Sequence, residues 1–134
     1  MVDRIEAGGF TEFVGVVEGV ELVDNDKAEH EDAKQYHITM KPEGIEIKGE
    51  TGLMHEWISV PKTATDEAVP EDSALDKYLQ DLEVQVSDAK KAKTHNEALD
   101  LMVGKKFKFA QKTYGKAYRG HAAKQYWAPV SLVE

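Results

Sequence analysis

Three stretches of the chain alternate apolar and polar side chains with a period of two. Such stretches bury their apolar halves by lying side by side as strands with one face turned inward. In residues 35–41, Tyr36, Ile38 and Met40 alternate with His37, Thr39 and Lys41 until Pro42, which cannot donate to a ladder, ends the run. In residues 54–60, Met54, Ile58 and Val60 share one face while His55, Trp57 and Ser59 share the other, and Pro61 follows. Lys105 to Lys112 sets Phe107 and Phe109 against Lys106 and Lys108. Two more strands follow from residue type. Phe13 to Val23 is rich in valine and carries Gly15 and Gly19 where a long strand can coil or bulge. Gln125 to Val133 is strand-like, and Pro129 marks it as an edge or a bulge. Ile45 and Ile47 add a short edge strand to an otherwise turn-like stretch.

Between the third and fourth long strands the period changes. Ser73 stands three residues before Asp76 and ahead of Leu75, Leu79, Leu82 and Val86, which predicts a capped helix from about Ser73 to Lys90. Thr94 and Glu97 repeat the capping pattern ahead of Ala98, Leu101 and Met102, and Gly104 is placed to end that second, short helix. Hydrophobic residues make up 41% of the 134 and charged residues 31%, a globular rather than disordered balance, so the chain is expected to form one domain over residues 1–134.

Charge is divided along this order. Residues 90–124 hold ten of the 17 basic residues and only the acids Glu97 and Asp100, a net +8 within a chain of net -8. Phe107, Phe109, Tyr114 and Tyr118 are interleaved with those cations, and Tyr126 and Trp127 follow. Cations mixed with rings suit a polyanion that carries flat bases. Lys112, Tyr114, Lys116, Tyr118, Arg119, His121 and Lys124 lie between the last two strands with Gly115 and Gly120, so this connection is the candidate gripping loop. Lys105, Lys106 and Lys108 extend the basic track along the fourth strand, whereas Lys90, Lys91 and Lys93 serve the end of the long helix, where cations are favoured whatever the protein binds. If Ile38, Met40, Ile58 and Val60 face the core, then Trp57, His37, Lys41 and His55 face outward. Trp57 is then either an exposed stacking platform or a ring covered by the helix or the N-terminal segment.

The order of three strands, a helical connection and two strands resembles the OB-fold. That fold is a five-stranded, partly open barrel that binds oligonucleotides or oligosaccharides on the face of its second and third strands and on two of its loops. The resemblance runs from about Phe10 to Val133 and is one of element order, supported by the glycine-bent first strand and the basic loop; no family-specific motif carries it. It implies a mainly β fold with α, a five-stranded OB-fold-like barrel. It further implies an activity like that of the small viral or prokaryotic single-stranded-DNA-binding proteins: non-catalytic binding of single-stranded DNA, or RNA, with little sequence preference in replication, recombination or repair. Two other readings stay open. One is a protein-interaction or viral structural module, a homo-oligomer joining acidic and basic regions. The other is a small enzyme or carbohydrate binder using the same face.

Enzyme signatures are weak. The chain has no cysteine, which excludes disulfides, thiolate nucleophiles and zinc ribbons. Its five histidines show no metal-ligand spacing, and the acidic run with Asp24, Asp26, Glu29, Glu31 and Asp32 lacks EF-hand spacing. Neither a phosphate loop nor a GxSxG elbow is present. The expectation is a protein without catalytic residues, metal or cofactor. The charged start and the want of any long apolar run predict a cytoplasmic protein with no membrane partner.

Overall fold

The computed structural model describes residues 3–5, 11–25, 33–47, 52–114 and 124–133. Its strands are β1 (Asp3–Ile5), β2 (Glu12–Asp24), β3 (Lys34–Pro42), β4 (Ile45–Ile47), β5 (Met54–Ser59), β6 (Lys106–Thr113) and β7 (Gln125–Val133). Two helices, α1 (Ala74–Gln85) and α2 (His95–Asp100), stand between β5 and β6, joined by a 3-10 turn at Ser87–Lys91. Five strands form one antiparallel sheet in the order β5-β3-β2-β6-β7, while β1 and β4 make a separate parallel pair.

Strand β2 is the spine. Its first half pairs with β6 through Glu12 to Val16, and Gly15 to Asp24 pairs with β3, so the strand is shared around Gly15 and Val16. The register slips between Val17 and Gly19, a bulge that bends the strand as its glycines lead one to expect. At Gly15 the backbone of β3 comes so close that an added Cβ would sit 2.8 Å from the Lys41 carbonyl oxygen. The register of β7 on β6 also slips between Lys108 and Phe109, opposite Ser131 and Pro129.

The inward face carries Phe13, Val17, Tyr36, Ile38, Met40, Met54, Ile58, Phe107 and Phe109, all buried, and the helices cover it with Leu75, Tyr78, Leu82, Leu99 and Met102. Phe13 holds the β7 side of the core by stacking on Phe109 at 5.2 Å and meeting the Trp127 ring edge-on at 5.0 Å. Both helix starts are capped as the sequence predicts. Ser73 Oγ accepts from the Asp76 N–H and Thr94 Oγ1 from the Glu97 N–H, each at 3.1 Å. Helix α1 ends at Gln85, short of Lys90, because Val86 turns to an extended φ of -127° and the chain tightens into the 3-10 turn. Gly104, at φ 82°, takes the left-handed turn that leads into β6.

The five-stranded antiparallel sheet and the mainly β fold are as expected, but closure into a barrel is not shown. The sheet is not closed: among the described residues no backbone ladder joins its edge strands β5 and β7. Four successive antiparallel pairings leave those two edges running in the same direction, and side chains rather than a ladder bridge them.

The close approach at β2 is open to test. Gly15→Ala is expected to lose on the order of 1–3 kcal/mol in urea unfolding, since the new methyl group meets backbone that cannot swing away. Gly19→Ala, with nothing within 4 Å of its Cβ, is expected to change stability by no more than about 1 kcal/mol.

Candidate nucleic-acid interface

Strands β3 and β5 pair with His37 opposite Trp57 and Thr39 opposite His55, so the alternation that buries Ile38 and Ile58 turns these four side chains outward. Trp57 is 41% exposed, which decides between platform and core in favour of the surface. One face of its indole is covered. The His37 ring lies parallel to it at 3.8 Å, tilted by 5°. His37 Nε2 in turn meets His55 Nδ1 at 2.8 Å, the two rings inclined by 20°. One of these nitrogens carries a proton and donates while the other accepts, so the pair has room for one bridging proton. Burial and the neighbouring His55 lower the proton affinity of His37, against the pull of Glu21 opposite it on β2. Lys41 is exposed farther along the same face.

Beside Trp57 lies the seam between β5 and β7, built on a residue that the sequence reading passed over. Glu56 points inward and is 4% exposed. One carboxylate oxygen accepts the Trp57 N–H at 2.9 Å, and the other accepts the Trp127 N–H from β7. Lys124, which ends the connection from β6, donates to the Trp57 carbonyl oxygen at 2.8 Å. Its ammonium also lies 3.8 Å from the carboxylate and 4.5 Å from the centre of the Tyr126 ring. The end of the candidate gripping loop is thereby tied to the strand that carries Trp57. Burial raises the Glu56 carboxyl above the usual carboxylate range, opposed by the two backbone donors and by Lys124. A charged residue at an inward position of an alternating strand was the available sign.

The other expected contacts divide. Lys106 pairs with Glu43 at 2.7 Å, Lys108 with Glu12 at 3.4 Å and Lys112 with Asp81 at 3.0 Å, so these cations of β6 already face acids; Lys105 is half-buried. Tyr114 is not the exposed stacking ring that the sequence suggests. It is 6% exposed, its hydroxyl donates to Asp81 of α1, and its ring packs against Tyr78 and Tyr126. Burial first, and then the Asp81 carboxylate, raises its hydroxyl far above the usual range. The Tyr78 hydroxyl, also buried, has no hydrogen-bond partner among the described residues. Lys116, Tyr118 and Arg119 lie outside the described residues. Among the described residues, no group of three His, Cys, Asp or Glu is placed to hold a metal ion, and no helix is long and apolar enough to cross a membrane.

Removing the seam carboxylate strands two backbone N–H groups. Glu56→Ala is expected to cost on the order of 2–4 kcal/mol in urea unfolding, from orphaned donors at roughly 1–3 kcal/mol each. Because the folded state raises the carboxyl's proton affinity, it binds the proton more tightly than the unfolded chain does. Stability from this group therefore grows as pH falls from neutrality toward the ordinary value of 4.5, and the gap between wild type and Glu56→Ala should widen over that range. No protein-family model, curated protein or solved structure matches the chain, so the functional reading stands on the seam and the rings beside it.

Proposed function

We propose that this protein binds single-stranded nucleic acid without catalysis and with little sequence preference, on the outward face of β3 and β5 beside the end of the 112–124 connection. The observation that carries the reading is Trp57: an indole 41% exposed and backed by His37 on one face, with its carbonyl held by Lys124. A flat exposed ring accepts any base, because every base has a π face. The surrounding architecture supports the same reading. Taking β2, β3, β5, β6 and β7 as the five long strands, the outward rings stand on the second and third, and Lys124 closes the connection between the fourth and fifth. These are the face and one of the two loops that OB-folds use for oligonucleotides. On this reading the sheet is an OB-type barrel whose last gap is closed by Glu56 in place of a ladder.

The site is narrower than the basic segment. Exposed ion pairs are worth about 0–1 kcal/mol, so a phosphate can take Lys106, Lys108 or Lys112 from its acid at little cost, yet each exchange gains correspondingly little. The same pairs tell against head-to-tail self-association, because the basic strand is matched within its own chain. The role that follows is protection or presentation of single strands, with rings supplying more of the affinity than charge.

Titration of tryptophan fluorescence with oligo-dT, a duplex of equal length and a neutral oligosaccharide, at low and high salt, tests this directly. Oligo-dT alone should quench, and the affinity should fall with salt. Trp57→Ala is expected to weaken binding by about 5- to 150-fold, equivalent to roughly 1–3 kcal/mol, while leaving the fold intact because the ring is half outside. Lys106→Ala and Lys108→Ala should each change affinity by no more than about fivefold, the ceiling that a surface pair sets. No response to oligo-dT at low salt refutes the proposal.

A further inference from the structure

We infer that His37 and His55 form a proton-gated subsite for a phosphate group next to the platform on Trp57. The assignment rests on the single-strand reading for the ligand that brings the phosphate, whereas the subsite itself follows from the geometry of the pair. At 2.8 Å, His37 Nε2 and His55 Nδ1 share one bridging proton, one nitrogen donating and the other accepting. A phosphate oxygen only accepts. The neutral pair therefore turns no free donor toward the gap between the rings, since its one facing proton is already engaged. A second proton reverses this. Both facing nitrogens become donors, neither can accept from the other, and the ring that took the proton is cationic; an oxyanion that accepts from both relieves the conflict with a charge-assisted bond.

The surroundings suit that occupant. Glu21 of β2 stands opposite His37, Thr39 of β3 stands opposite His55, and Trp57 of β5 stacks on His37; Lys41 is exposed farther along β3, Lys124 holds the Trp57 carbonyl, and Glu56 points away into the seam. Burial first, and then His55, lower the proton affinity of His37 against the pull of Glu21, so in the free protein His37 takes a proton less readily than an ordinary histidine. The His37 ring lies 3.8 Å from the indole, close enough for pair and platform to engage one nucleotide. By linkage, a phosphate that requires the second proton also raises the pair's affinity for it, so binding must tighten as pH falls.

The test compares oligo-dT with an uncharged methylphosphonate oligo-dT of the same length, at about pH 7.5 and about pH 5.5, on either side of the ordinary histidine value. With the wild-type protein, oligo-dT should bind about tenfold more tightly at the lower pH, the equivalent of a one-unit displacement of the pair's midpoints. The methylphosphonate should show no such gain, and in the His37→Gln/His55→Gln variant the ratio of affinities at the two pH values should fall to about one, whatever its absolute affinity. A gain that persists with the neutral backbone or in the double variant overturns the subsite. Histidine ring NMR with inorganic phosphate separates this from the broader reading. If phosphate raises the midpoints of His37 and His55 while oligo-dT fails to bind at either pH, the subsite stands and the single-strand reading falls. If oligo-dT binds with no gain in acid and phosphate leaves both midpoints unmoved, the reading stands and the subsite falls.

Discussion

The Glu56 carboxylate does the work that two ladder hydrogen bonds do elsewhere in the sheet. Edge strands β5 and β7 run in the same direction with no backbone pairing between them, and one side chain accepts an N–H from each. Burying a carboxylate costs several kcal/mol, which its raised proton affinity reflects. Two charge-assisted hydrogen bonds and the ammonium of Lys124 offset that cost. The arrangement also settles the parity of β5. With Glu56 committed inward between Met54 and Ile58, the neighbouring Trp57 has to point out, and the exposure of the indole follows from the burial of the acid.

The remainder of the β7 edge is closed from the helix. The Gln85 side chain, at the last turn of α1, donates to the Val130 carbonyl and accepts the Leu132 N–H, at 3.0 and 3.1 Å, as a neighbouring strand would. Asp81, one turn earlier, holds both Lys112 and Tyr114. Helix α1 is thus fastened to the edge strand at one point and to the start of the 112–124 connection at another, while Lys124 fastens the end of that connection to β5. An unpaired strand edge is a template for association, and here the Trp57 N–H and carbonyl on β5 and the Trp127 N–H, Val130 carbonyl and Leu132 N–H on β7 are taken up by side chains of the same molecule.

What could be read from the sequence was local. Alternation about Ile38 and Ile58 set the faces of β3 and β5, Ser73 with Asp76 and Thr94 with Glu97 marked both helix starts, and Pro129 announced the irregularity in β7. These features depend on neighbours a few residues away. What escaped depends on distant partners: Glu56 meets Trp127 71 residues on, Asp81 meets Tyr114 33 residues on, and Tyr36 meets His95 59 residues on. In that last pair, His95 Nε2 donates to the Thr65 carbonyl while Nδ1 meets the Tyr36 hydroxyl, so one buried ring ties β3 to the segment before α1. No periodicity encodes such a pairing. The end of α1 was misjudged for a related reason, since apolar spacing continues through Val86 although the backbone has already left the helix.

Charge was legible as composition and misleading as surface. A run of net +8 suggests a basic face, yet the chain folds Glu12, Glu43 and Asp81 against Lys108, Lys106 and Lys112 and so matches the charge of β6 internally. A polyanion approaching β6 has to compete with carboxylates already in contact, so the field there is weaker than the count of lysines implies. The outer face of β3 and β5 differs in kind. Its imidazole pair shares one bridging proton, and its indole is stacked by His37 on one side yet remains 41% exposed. On the proposed reading, selection among ligands on this face depends first on whether they carry a flat ring, and only then on how many phosphates come with it.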